Sequence, residues 1–349
     1  MGVREYKNVF GSKDYRDSPD RARYAEDLAR WTEARYETAR ERRDGYMLNT
    51  AREERRGDFI AMHGFPLTER AEYAALPVSA ETEFVGRDGD VEIVRVRLEA
   101  LPGIRMFGLL FLPRGRVARR PLVFCQHGAN GAPEYVGSML ADSANYNHMA
   151  RRFADRGAAV FAPQLLTWLP ETFGTPYDRG KLDSSLRQLG GSFTALELLL
   201  LSRCVDYFAA RKDIDAERIG FCGLSWGGMY ALHFGASDTR VKATYSSCFF
   251  NDRAAFNWPD WSYKGQADRF FDAEAAELIA PRYLYVECGA DDPLFLLKSA
   301  EPEAARAEGY FKRAGCADRF RFRAFEGAHE FDRDDGGVEW FMEKLTGGR

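Results

Sequence analysis

Apolar and polar positions follow three successive rhythms along this chain. Over residues 18–57 the spacing is helical: Ser18-Pro19 fits an N-cap followed by a first-turn proline, and Tyr24, Leu28, Trp31 and Arg35 recur on one face among charges of both signs. This stripe predicts a helix packed on the main body of the protein, with a subunit contact or a cap over the active site as alternatives. From about residue 80 the period shortens. Segments 81–85, 91–98 and 104–112 are β-branched or alternating runs, separated by Arg-Asp-Gly-Asp and Leu-Pro-Gly turns, and they predict an antiparallel opening to a sheet. After Pro121, strands are expected over 122–126, 158–162, 219–223, 241–245 and 283–287. Helices are expected over 145–156, 193–211, 226–236, 297–314 and 337–346. Apolar strands separated by helices imply a mainly parallel sheet covered on both faces. The last strand, 320–324, alternates apolar residues with arginine and is expected at an edge.

This pattern divides the chain into an N-terminal helical extension, 1–79, and an α/β domain, 80–349. Two connections, 164–191 and 246–275, exceed what a compact domain needs and are expected to be lids or partial caps. The second carries Phe249, Phe250, Phe256, Trp258, Trp261 and Tyr263, a density that suits an apolar substrate pocket or, equally, a packing patch.

Composition narrows the classes. With 349 residues, 45% of them apolar, the chain can bury a large core. A net charge of −4 with both signs interspersed argues against nucleic acid as a partner. The longest apolar run, near 198–201, is too short to span a bilayer. The polar, charged residues 1–20 do not read as a signal peptide. Six cysteines at 125, 204, 222, 248, 288 and 316 show neither a CxxC pair nor metal-ligand spacing. A cytoplasmic protein without metal or cofactor is therefore expected, with a homodimer through the N-terminal helices as one arrangement.

The chemistry begins at Gly223-Leu-Ser225-Trp-Gly227-Gly228, a G-x-S-x-G run between an apolar strand and a helix. In that context the serine stands on a tight strand-to-helix turn, and the helix start directs N–H groups toward developing negative charge. A serine hydroxyl needs a base to take its proton. Of the five histidines, His329 lies in Phe325-Glu-Gly-Ala-His329 just after the last predicted strand. His127 more naturally braces a loop, His233 packs within the elbow helix, and His63 and His148 have no supporting context. The base in turn needs a carboxylate to fix its tautomer. Gly289-Ala-Asp291-Asp292-Pro293 follows a late strand, with Asp292 the best-placed acid, Asp291 the fallback and Glu287 a third candidate. An acyl-transfer site also needs oxyanion donors. The backbone N–H groups of Trp226 and of Ala129, in His127-Gly-Ala-Asn-Gly131, are the candidates.

These motifs resemble the α/β-hydrolase superfamily over about residues 80–346. The similarity rests on HGANG at 127–131, DIDAERIGFCGLSWGG at 213–228, GADDP at 289–293 and GAH at 327–329. The branch most resembled holds dienelactone-hydrolase-like proteins, acetyl xylan esterases and the catalytic domains of prolyl-oligopeptidase-like peptidases. The resemblance implies a twisted, mostly parallel sheet with Ser225, Asp292 and His329 at its C-terminal edge. Three departures refine it. Dienelactone hydrolases proper carry cysteine where this chain has Ser225. Similar acetyl xylan esterases carry glutamine where it has Trp226. The peptidases add a β-propeller, which residues 1–80 are too few to form. A serine hydrolase acting on a small-molecule carboxylic ester is expected. Peptide or amide, lactone or carbon–carbon hydrolysis, and a catalytically silent binding protein, are the alternatives.

Overall fold

The computed structural model describes residues 18–115, 118–139, 144–167 and 174–347. Nine strands form one sheet: β1 (Ser79–Asp88), β2 (Val91–Leu101), β3 (Ile104–Pro113), β4 (Arg120–Gln126), β5 (Ala159–Pro163), β6 (Ile214–Leu224), β7 (Val241–Ser247), β8 (Tyr283–Gly289) and β9 (Phe320–Phe325). Their order is β1-β2-β3-β5-β4-β6-β7-β8-β9. The first three are antiparallel and β3 joins β5 antiparallel, whereas every pair from β5 through β4 to β9 is parallel. The nine strands expected from the sequence are therefore present, and β9 is an edge. β4 and β5 are buried along their whole length, which is why Leu122–Cys125 and Ala159–Pro163 read as apolar runs rather than alternating ones.

Helices cover both faces. On one side, Phe193–Ala209 and Trp226–Ser237 pack with the N-terminal helices around Phe124, Phe161, Phe208 and Phe221. On the other, Met149–Ala154 and Gly336–Thr346 close over Val123, Cys222, Tyr245 and Phe341. All six cysteines are buried and free. Among the described residues no helix is long and apolar enough to cross a membrane.

Two readings of the pattern need correction. The helix expected over 18–57 is two, Pro19–Asn49 and Arg52–His63, with Thr50 and Ala51 extended between them. Arg55 donates from the second helix to the carbonyls of Met47 and Thr50, satisfying acceptors that the break exposes. The stripe expected to pack is also not the one that does. Tyr24, Leu28 and Trp31 stay 67%, 47% and 59% exposed, whereas Ala39, Arg43 and Met47 are buried. Arg43 wins that face because a buried carboxylate waits for it: its Nε lies 3.1 Å from Glu274. Hydropathy patterning gives an arginine no weight as a core position.

The two long connections differ. Within 164–191, whose residues 168–173 lie outside the described set, a helix Arg179–Gln188 starts at Asp178, whose side chain accepts the Lys181 N–H. It lacks any buried residue, which explains its weak apolar signal. Segment 246–275 contains only two single-turn 3-10 helices, Pro259–Trp261 and Gln266–Asp268, before the short helix that begins at Asp272.

Candidate active site

The parallel order β6-β7-β8-β9 places the ends of four neighbouring strands along one edge of the sheet. Ser225 follows β6, Asp292 lies three residues past β8, and His329 lies in the loop after β9. That is the crevice beyond the carboxyl ends of parallel strands where open α/β sheets bind ligands.

Ser225 has φ 60° and ψ −125°, a left-handed backbone that costs a non-glycine residue on the order of 1–3 kcal/mol. The surrounding contacts show how the turn is forced. A Cβ on Gly223 would meet the Gly227 carbonyl at 2.1 Å, and one on Gly227 would meet the Gln126 carbonyl at 2.2 Å. Both flanking glycines of G-x-S-x-G are thus required by close backbone approach. The Ser225 N–H donates to the Ser247 carbonyl at 2.8 Å, which pins the elbow to the end of β7. Trp226 is the first residue of the helix that follows, so its N–H belongs to that helix's first turn.

Asp292 is the acid that meets the histidine. Its Oδ2 lies 2.8 Å from His329 Nδ1, while Oδ1 accepts the N–H groups of Leu294 and Phe295 at 2.8 and 3.0 Å. Burial alone would raise its pKa, but the His329 contact and the two amides outweigh burial and hold the carboxyl below its ordinary range. The other two acids stand elsewhere: Asp291 is exposed, and Glu287 is buried with different partners. Phe295 has two parts in the site, since its amide fixes Asp292 and its ring stacks on His329 with centroids 5.6 Å apart.

Glu287 ties the site together from beneath. Its carboxylate accepts Tyr245 OH, Ser247 Oγ at 2.7 Å and the Asp332 N–H at 3.1 Å. Burial pushes its pKa up to about 7 against the pull of those donors. It thereby joins the strand that holds the elbow to the loop that carries His329. Cys248 makes a second link, with its N–H on the Glu287 carbonyl and its thiol 3.3 Å from the Glu330 carbonyl. Burial, then the nearby Glu287 and Asp292, push that thiol well above its ordinary range, so it stays protonated. Neither residue's tie to the His329 loop could be read from its own segment, because each joins strands far apart in sequence.

Ala129 is exposed at the tip of a turn closed by Gly131 N–H on the Gly128 carbonyl at 3.1 Å. This turn lies against the elbow: a Cβ on Gly128 would come within 3.0 Å of Ser225 Cβ. His127 is its brace. Burial drops its pKa to about 4, so it is neutral near pH 7. Nδ1 lies 2.8 Å from the Gly128 carbonyl and Nε2 accepts the Leu165 N–H at 3.0 Å, which fixes the tautomer with the proton on Nδ1. Tyr146 OH accepts the Gly128 N–H at 2.9 Å from the far side, a contact with no local sequence signal. His233 and His63 form a buried pair, 3.0 Å apart, away from these residues.

Of the four aromatics expected to line a pocket, Phe249, Phe250 and Trp261 are 0%, 1% and 7% exposed, and only Trp258 has substantial surface at 38%. Trp226 meets Trp261 edge-on, Phe249 touches both Trp261 and Phe295, and Phe295 continues the chain of rings to His329. These rings support the site from behind and leave little of themselves for a ligand. Arg179, from the inserted helix, reaches over the Trp226 ring at 4.9 Å while ion-paired to Glu197 and Asp260.

Comparison with known proteins agrees with this architecture. Residues 132–280 match the dienelactone hydrolase family model. A curated protein of Bacillus subtilis (strain 168), "Putative hydrolase YtaP", is 24% identical over 258 residues, covering 70% of this chain and 85% of its own. Among solved structures, methylesterase BT1017 aligns with TM-score 0.63 at 19% identity, over 84% of this chain and 64% of its own. A glucuronoyl esterase from Solibacter usitatus aligns with TM-score 0.58 at 18% identity, over 80% of this chain and 91% of its own. The chain has the α/β-hydrolase fold.

Proposed function

We propose that this protein is a serine hydrolase that cleaves a small-molecule carboxylic ester through an acyl-enzyme, with Ser225 as nucleophile, His329 as base and Asp292 as its orienting acid. The observation that carries the reading is the 2.8 Å contact between His329 Nδ1 and Asp292 Oδ2, two and three strand ends along from a serine held at positive φ. Similarity to the dienelactone hydrolase family and to esterases supports the ester as substrate.

The steps follow from the groups in place. Asp292 holds the proton of His329 on Nδ1, which leaves Nε2 free to accept the Ser225 proton as Oγ attacks the ester carbonyl. The carbonyl oxygen becomes an oxyanion, held by the N–H groups of Trp226 and Ala129. His329 then gives its proton to the leaving alcohol. A water molecule, deprotonated by the same histidine, attacks the acyl-serine and releases the acid. The N-terminal segment 1–79 is an extension of this catalytic domain.

Ester and amide chemistry share these groups and differ in the leaving group. Turnover of 4-nitrophenyl acetate, with no turnover of 4-nitroacetanilide above background, is the expected outcome of a parallel assay. Comparable rates on the two would favour an amidase.

A further inference from the structure

A cavity adjoins the turn that holds Ala129, with Asn130 and Gly131 in its lining. It has a volume of about 370 Å³ and is bounded by the strand residue Phe107, by Asn130 to Ala132, and by Gln164, Leu165, Leu166 and Tyr177. That size is at the lower end of ligand pockets, about 300–1,000 Å³.

Three features say what it would hold. Its rim carries two large apolar side chains left open, Phe107 at 39% and Leu166 at 40% exposed, where an unpartnered hydrocarbon surface gains by meeting a ligand. Most of its polar groups are already spent within the wall. Gln164 Nε2 donates to the Leu165 carbonyl at 2.7 Å and the Gly131 carbonyl at 3.3 Å, and Thr167 Oγ1 donates to the Gly128 carbonyl at 3.0 Å. Asn130 Oδ1 is out of reach as well, since it is buried. Glu134 adds a carboxylate to the lining, which disfavours an anionic guest.

The turn from Gly128 to Gly131 connects this cavity to the reacting serine. Its first residue lies against Ser225 and its last lines the cavity, and the ends of such a turn are under about 7 Å apart. We propose that the cavity is a specificity subsite for an uncharged, mainly apolar substituent of the ester, long enough to pass the turn. This rests on the serine-esterase reading and adds to it that the substrate is larger than an acetate or methyl ester.

The substituent can be the acyl chain or the alcohol, and two series of substrates separate them: 4-nitrophenyl esters from acetate to octanoate, and acetates from methyl to octyl. In one series kcat/KM should rise by roughly threefold to fourfold per added methylene until the cavity is filled, as expected for burying each group. Leu166→Trp, which fills the cavity from its exposed rim, should flatten that rise while changing acetate (or methyl acetate) turnover less than about twofold. Phe107→Ala, on an exposed strand position, should shift the optimum to a longer or bulkier substituent. A flat response in both series, or one that Leu166→Trp leaves unaltered, would overturn the subsite. Binding tests it without turnover. A ketone isostere, 2-decanone, should raise the melting temperature of Ser225→Ala, and Leu166→Trp added to that variant should abolish the shift. No ketone shift in Ser225→Ala, or a shift that Leu166→Trp leaves in place, refutes the subsite when the parent still turns over esters, whereas a ketone effect without any ester turnover refutes the esterase reading and leaves the cavity as a binding site.

Discussion

Replacing Ser225 by alanine is expected to lower kcat on 4-nitrophenyl esters by about 10⁴-fold or more, in line with the loss of a nucleophile in serine hydrolases. The fold should survive intact. The residue's conformation is imposed from outside it, by the Ser247 carbonyl that accepts its N–H and by the two glycines packed against neighbouring backbone. Alanine meets the same φ of 60° at the same cost as serine. The melting temperature should therefore stay within a degree or two of the parent, since surface-directed substitutions that break no buried contact change stability by less than about 0.5 kcal/mol. Loss of activity together with a large drop in melting temperature would mean that Ser225 is structural. Full activity in a well-folded variant would place the chemistry elsewhere.

The second large effect is expected for Asp292→Asn. The side chain keeps its shape, and its carbonyl oxygen can still accept the Leu294 and Phe295 amides that shape the loop. The change falls on the other oxygen. At that position an amide NH₂ would donate to His329 Nδ1 and drive the proton to Nε2, leaving no lone pair for the serine proton. The charge that stabilises an imidazolium is also gone. A kcat loss on the order of 10⁴-fold follows, with acyl-enzyme formation, followed by stopped flow, affected as strongly as its hydrolysis. Glu287 and Asp332, buried nearby, are committed elsewhere: Glu287 accepts from Tyr245, Ser247 and Asp332, and Asp332 pairs with Arg323. A loss of less than about tenfold would show that a different acid orients His329.

The strands and the elbow were legible in the sequence because local rules decide them. A strand buried on both faces is apolar through its centre, as at Leu122–Cys125 and Ala159–Pro163, and a strained turn between strand and helix must carry small residues at fixed offsets, as Gly223 and Gly227 do. Asp292 could be ranked above Asp291 but not separated from it, because one residue changes whether the side chain faces the crevice or water, and only the turn held by Leu294 and Phe295 decides. What sets the rest is long-range. Tyr146 on the Gly128 amide, Phe295 on His329 and the Glu287 links join segments whose proximity exists only once the sheet is assembled. The N-terminal helix fails for a related reason. Its Tyr24, Leu28 and Trp31 make the stronger hydrophobic stripe, yet the buried face is chosen by Arg43 pairing with Glu274, and a buried ion pair leaves no apolar period to read.

The most direct measurement is labelling by a fluorophosphonate probe, with the adduct located by mass spectrometry. The account predicts one adduct per chain on the peptide that contains Ser225, and none in the His329→Ala variant, where the serine lacks its base. A folded protein that takes up no probe, or takes it up on another residue, would contradict an activated serine at this site.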